Sequence, residues 1–178
     1  MNLSYIFRNS WWSKRKRPKT KIGFTVFDLI IEIVGLVAVL ALWIFVMVTF
    51  SKLPDIIPIH LNASGQADNF GEKSKLLELP VIATILYAGM TIFSRFPHFF
   101  NYPVKITENN ADFQYRNMAR MIRCLKLSLV LVFGNIVLQT ARNDTGNVEG
   151  LGGWFLPLIL AVIFLPVLYF MVKSFLYR

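Results

Sequence analysis

His60, Asn62, Asp68, Glu72 and Lys73 fall within one short stretch of the chain and bring together an imidazole, an amide, two carboxylates and an ammonium. An imidazole beside a carboxylate can hold a divalent metal or move a proton. Ile57, Ile59 and Leu61 alternate with Pro58, His60 and Asn62, which is the period of a strand and would point His60 and Asn62 to one side. Ala63 to Gly65 supply turn residues before a polar return, so the spacing predicts a short extended segment and a hairpin-like turn that gathers the polar groups on one face. The metal signal is sparse. One His with scattered carboxylates lacks the paired His or Cys spacing of a zinc site, so a divalent ion held by His60 and Asp68 is the only cofactor the segment suggests. The plainer use of the same residues is loop architecture, in which His60, Asn62 and Asp68 hydrogen-bond the backbone and Gly65 and Gly71 permit the turns.

An enzyme built here would use His60, Asp68 and Glu72. Against it stand the lack of a second His in the segment, of a Cys or Ser nucleophile in a recognisable setting, and of a phosphate-binding glycine loop. No catalytic residue is assigned, and a non-enzymatic role is favoured.

The elements that must position this segment are membrane helices. A chain of 178 residues with 55% hydrophobic and 16% charged side chains lies outside the range of soluble globules. Crossing ~30 Å of hydrocarbon at ~1.5 Å per residue takes about 20 apolar residues. Four stretches qualify, at residues 29–50, 79–96, 125–141 and 154–172. The fold class expected is an all-α membrane protein, a four-helix transmembrane bundle with a short extended, hairpin-like extracytoplasmic loop. A basic interfacial segment (1–28) precedes the four-span domain (29–178), whose outer motif loop is 51–78 and whose cytoplasmic loop is 97–124. The first apolar run is long and has no small-x-small cleavage pattern after it, so it reads as a retained anchor. Helical periodicity upstream of the third span, from Thr107 as N-cap through Phe113, Tyr115, Met118, Met121 and Ile122, predicts one long helix that enters the membrane.

Orientation follows from Lys and Arg outside the spans. The N-terminal segment has seven, the middle connection six and the C-terminus two, against three in the first connection and one in the last. Both termini and the middle connection are therefore expected in the cytoplasm, with the protein multi-pass in the cell (inner) membrane. Trp11, Trp12, Trp154, Tyr169 and Tyr177 fall where amphipathic rings prefer headgroups. The formal charge of +9 points to anionic lipid headgroups rather than nucleic acid.

Ionisable residues inside a span are functional candidates because a charge at the bilayer centre costs roughly 3 kcal/mol. Only Asp28 and Glu32 come near, one turn apart at the start of the first span, where capping and pairing with the Lys21 region account for them. The spans otherwise lack the charged interior of an ion-coupled transporter. Asn135 and Gln139 suit hydrogen bonds between helices, and Arg142 suits Asp55 or Asp68. Arg116, Arg120 and Arg123 recur at i, i+4 and i+7 and form one basic cytoplasmic stripe, facing lipid or docking an acidic regulator. Cys124, the single cysteine, reads as an ordinary free thiol.

The run Leu-Pro-Asp-x-Ile-Pro-x-His-x-Asn-x-x-Gly-x-x-Asp-x-x-Gly-x-Lys, from Leu53 to Lys73, resembles the signature of a bacterial membrane-protein family of largely unknown function. That family is named in part for the immunity protein of a sporulation-delaying toxin system. The resemblance covers about twenty residues and the layout of the first spans, and it corresponds to the motif-bearing part of the immunity protein, which in that family precedes further helices. It implies that Asp55, His60, Asn62, Gly65, Asp68, Gly71 and Lys73 organise the outer loop or bind a ligand there. It further implies a binding, immunity or signalling role, with a secreted peptide or toxin outside and a regulator inside. An accessory subunit of a larger membrane complex, with the spans as interface, is the third reading.

Overall fold

Thr25 and Asp28 start the first helix by capping each other: the Asp28 backbone N–H donates to Thr25 Oγ1 at 3.3 Å and the Thr25 N–H donates to Asp28 Oδ2 at 3.0 Å. The capping expected of Asp28 is present. The computed structural model describes residues 17–20, 22–62, 67–143 and 154–178. Within them the order is helix α1 (Val26–Phe50), strands β1 (Ile56–Leu61) and β2 (Ala67–Glu72), a 3-10 turn (Lys73–Leu77), helix α2 (Glu78–Phe93), a second 3-10 turn (Pro97–Phe99), helix α3 (Ala111–Asn143) and helix α4 (Phe155–Leu176). The protein is mostly helical, and four helices are long and apolar enough to cross a membrane. The loop expected to be hairpin-like holds a small two-stranded antiparallel sheet. Residues 1–16, 21, 63–66 and 144–153 and the side chains of Leu61, Arg142 and Asn143 lie outside the description, and with them Trp11, Trp12, Gly65 and the contacts expected of Lys21 and Arg142.

Helix ends differ from the periodicity in ways local chemistry explains. The third helix begins at Ala111 rather than after Thr107, because the Asn110 carboxamide accepts from the Thr107 N–H and donates to the Lys105 carbonyl, holding that segment in a turn. The second helix stops at Phe93, with Ser94 Oγ donating to the Thr91 carbonyl and Pro97 close behind. Pro166 lies inside α4 and removes the N–H that the Val162 carbonyl would accept.

Helix α3 is the centre of the bundle. It packs on α1, α2 and α4, while α4 touches chiefly α3. Contacts at the two ends show that the helices alternate in direction. The start of α1 meets the start of α3 through Asp28 and Arg123, the end of α2 meets α3 through Thr91 and Lys126, and the end of α4 meets α3 through Ser174 and Gln114. At the other end the hairpin, Thr140 of α3 and Phe155 of α4 line one groove.

The apolar core joins Val39, Leu42 and Val46 of α1 with Ala83 of α2 and Val130 and Val137 of α3, and reaches Leu53, Ile57 and Leu76 at the hairpin base. Helices α1 and α2 approach closely at Gly35, where a Cβ would stand 2.8 Å from Tyr87 Cε2. The gap lets Tyr87 donate its hydroxyl to the Glu32 carbonyl at 3.0 Å. Trp43 Nε1 donates to Thr84 Oγ1 at 3.0 Å across the same pair. Asn135 buries its Oδ1 with no hydrogen-bond partner among the described residues.

Candidate functional site

Two bulges shape the hairpin. Pro58 pairs with Phe70, His60 with Asn69 and Leu61 with Ala67, so Ile59 and Asp68 each stand as an extra residue on their own strand. The strict alternation read from the sequence breaks at this point. Ile57 is buried in the bundle core, whereas Ile59 is exposed and lies over Gly71, whose hypothetical Cβ would come within 2.8 Å of Ile59 Cδ1. The site residue Gly71 is thus a point of close approach at which any larger side chain would displace Ile59.

The displaced Asp68 meets His60. Nδ1 of the imidazole lies 2.5 Å from Asp68 Oδ1, with both side chains largely in solvent. Among the described residues, no group of three His, Cys, Asp or Glu side chains is arranged to hold a metal. Glu72 points elsewhere, accepting from Ser74 Oγ at 3.2 Å. Asn62 is half-buried at the end of β1.

The first and last polar residues of the motif close the hairpin base. Lys73 Nζ lies 3.0 Å from Asp55 Oδ1, donates to the Leu53 carbonyl at 3.4 Å and sits 5.4 Å from the Phe50 ring centroid. The backbone adds a bond from the Lys73 N–H to the Asp55 carbonyl at 2.9 Å. Between hairpin and bundle runs a groove of about 560 Å³, walled by Pro58, Ile59 and His60 on one side and by Leu79, Ile82 and Phe155 on the other. Its size and mainly apolar walls suit a ligand, with His60 at the lip as a polar contact.

Residues 36–84 match a family described as Domain of unknown function (DUF1648). The matched segment runs from α1 through the whole hairpin into α2, so it contains every motif residue just described. An uncharacterized protein of Archaeoglobus fulgidus is 31% identical over an alignment of 121 positions that covers 60% of this chain and 65% of that protein. The chain therefore spans about 65% of the length of that curated relative. No solved structure matches the chain.

At the opposite end the structure holds a charged junction. Asp28 Oδ1 accepts from Arg120 Nε at 3.1 Å and Arg123 Nη1 at 2.9 Å. Glu32 accepts from Arg123 Nε at 3.1 Å and Lys126 Nζ at 2.5 Å, and Lys126 also reaches Thr91 Oγ1 at 2.7 Å. Lys126 and Asp28 are almost wholly buried. The basic stripe expected on the surface is divided: Arg116 stays partly exposed and pairs with Asp112, while Arg120 and Arg123 turn inward.

Depth explains how these charges are tolerated. Counted from the hairpin end at ~1.5 Å per residue, Lys126 and Arg123 lie ~26 and ~30 Å along α3 and Glu32 and Asp28 ~27 and ~33 Å along α1, so the junction stands near the far limit of a ~30 Å apolar span. Three cations against two carboxylates leave one excess positive charge, shared with the faces of Phe24, Phe27 and Tyr87. The sequence did carry a signal for this junction: acids at 28 and 32 share one face of α1, and bases at 120, 123 and 126 recur every third residue on α3.

Proposed function

We propose that this chain is a non-enzymatic binding protein of the cell membrane whose hairpin end faces outward and receives an extended peptide. The observation that carries the reading is the hairpin itself, held at its base by Lys73 and Ile57 yet presenting Ile59, His60 and Phe70 to solvent beside an open groove. A two-stranded sheet also leaves edge N–H and C=O groups free for an added strand, while apolar pockets alongside select its side chains.

The basic residues support the orientation, with fifteen of the nineteen Lys and Arg in the N-terminal segment, the middle connection and the C-terminus of the sequence against four in the first and last connections. A Cys placed at Ala63 in a Cys124→Ser background should label from outside intact cells; labelling only after permeabilisation would invert the arrangement. The resemblance to the toxin-immunity family narrows the ligand to a secreted peptide toxin, and a signalling extension assigns Arg116 to a cytoplasmic regulator.

Site-specific photocrosslinking tests the reading. A photoreactive residue at Phe70 should capture a discrete peptide adduct in cells, while the same residue at Leu160, exposed on α4, should capture lipid. Lipid adducts alone at both positions would end the proposal. For the immunity reading, loss of the chain should sensitise cells to a secreted peptide, and unchanged resistance across a toxin panel would count against it.

A further inference from the structure

We infer that the cleft between α3 and α4, at the end opposite the hairpin, is a binding site for an anionic phospholipid of the surrounding bilayer. This inference concerns a different face from the hairpin and stands independently of what the hairpin binds. The cleft has two compartments. One is a slot of about 360 Å³, walled by Met118, Met121, Val167, Phe170 and Met171. The other is a wider vestibule of about 950 Å³, which carries Lys105 and Arg178 and no side-chain carboxylate on its walls. Pro103 lines both.

Three features match this pair of compartments to one amphiphile. The slot is apolar, and its thioether side chains adapt to a flexible tail. Its buried polar neighbours are already committed: Gln114 Nε2 donates to the Ser174 and Tyr177 carbonyls at 2.9 and 3.0 Å, and Asn117 Nδ2 to the Phe170 carbonyl at 2.7 Å. These bonds occupy carbonyls near the end of α4 and leave the slot with little to offer a polar ligand. The vestibule is the reverse, since Lys105 and Arg178 form no ion pair with any described residue and Thr107, Asn109 and Asn110 supply further polar groups around them.

Depth aligns the compartments with a lipid. Along α4 from Phe155, Val167 lies ~18 Å and Met171 ~24 Å from the hairpin end, inside ~30 Å of hydrocarbon, while the helix ends at Leu176, ~32 Å along, with Arg178 just beyond it at the level of the headgroups. A bilayer lipid would thus place its tail and phosphate in the two compartments without leaving its own leaflet. An anionic headgroup is selected because the Lys105 and Arg178 side chains line the vestibule with no Asp or Glu side chain among its walls.

The test uses the full chain in nanodiscs of equimolar phosphatidylglycerol and phosphatidylcholine, followed by detergent release and native mass spectrometry of the retained lipid. Wild-type protein should retain phosphatidylglycerol at least tenfold over phosphatidylcholine. Lys105→Ala with Arg178→Ala, both exposed, should bring the ratio near one with thermal stability unchanged. Met171→Trp, which fills the slot, should lower retention of both lipids. Equal retention by wild-type protein overturns the inference, as does an unchanged ratio in the double variant. Loss on charge removal but full retention in a folded Met171→Trp protein would reduce the site to surface attraction and overturn the tail-binding claim. Displacement of the lipid by millimolar inorganic phosphate would mark a free-anion site and overturn it as well.

Discussion

The Lys126 ammonium of α3 lies 2.5 Å from the Glu32 carboxylate of α1, fully removed from solvent, and the contact ties together the three helices that surround it. Its partners make the two ends of the pair unequal. Glu32 serves both Arg123 and Lys126, whereas Lys126 is the third cation in a junction with only two carboxylates.

That inequality sets the first prediction. Glu32→Gln leaves three cations against Asp28 alone and should destabilise the bundle by about 3–5 kcal/mol, the cost of stranding buried charge. Lys126→Met leaves two cations on two carboxylates, and Thr91 keeps its own bond to the Tyr87 carbonyl, so the loss should be nearer ~1 kcal/mol. Unfolding titrations in mild detergent would compare them. Equal losses would show that charge balance does not govern the junction.

Gly35 should tolerate no side chain while Tyr87 remains. Gly35→Ala places a methyl 2.8 Å from Tyr87 Cε2 and 2.9 Å from its hydroxyl oxygen, so α1 and α2 must separate at a cost of about 1–3 kcal/mol. Combining it with Tyr87→Ala removes the clash, and a double-mutant cycle should return a favourable coupling of at least ~0.5 kcal/mol. Additive effects would place the strain elsewhere.

At the hairpin base, Lys73→Ala should matter more than Asp55→Ala. The Asp55 side chain is 92% exposed, and such a pair contributes ~0–1 kcal/mol. Lys73 additionally donates to the Leu53 carbonyl and covers the Phe50 ring. Limited proteolysis should cut the hairpin of Lys73→Ala several-fold faster than that of Asp55→Ala, and identical rates would leave the lysine with its ion pair only.

His60→Ala should leave global stability within ~0.5 kcal/mol, as expected of an exposed pair with no buried partner. It should still weaken peptide capture at Phe70. A large loss of thermal stability would reassign His60 to holding the fold, and unchanged capture would remove it from the binding surface.

The existence of four apolar helices was legible because crossing a bilayer is a demand that each span meets alone, with its own backbone hydrogen bonds and about 20 apolar residues. The hairpin was legible from Ile57 alternating with Pro58 and from the turn residues after Asn62, since strand period and turn chemistry are also local. The capping box at Thr25 and Asp28 belongs to the same class.

Facing was not local. Arg116, Arg120 and Arg123 share one helical stripe by period, yet Arg116 turns to Asp112 and the other two are drawn inward by acids more than ninety residues away in sequence. Ile57 and Ile59 likewise share a strand period, and only the bulged register with β2 sends one into the core and the other into solvent. By itself the sequence determined which segments are helical and apolar, because those properties sum over neighbouring residues. The tertiary structure decided which charges are neutralised, which side chain lies over Gly71 and where the cavities open, because each depends on what a distant segment brings to the same place.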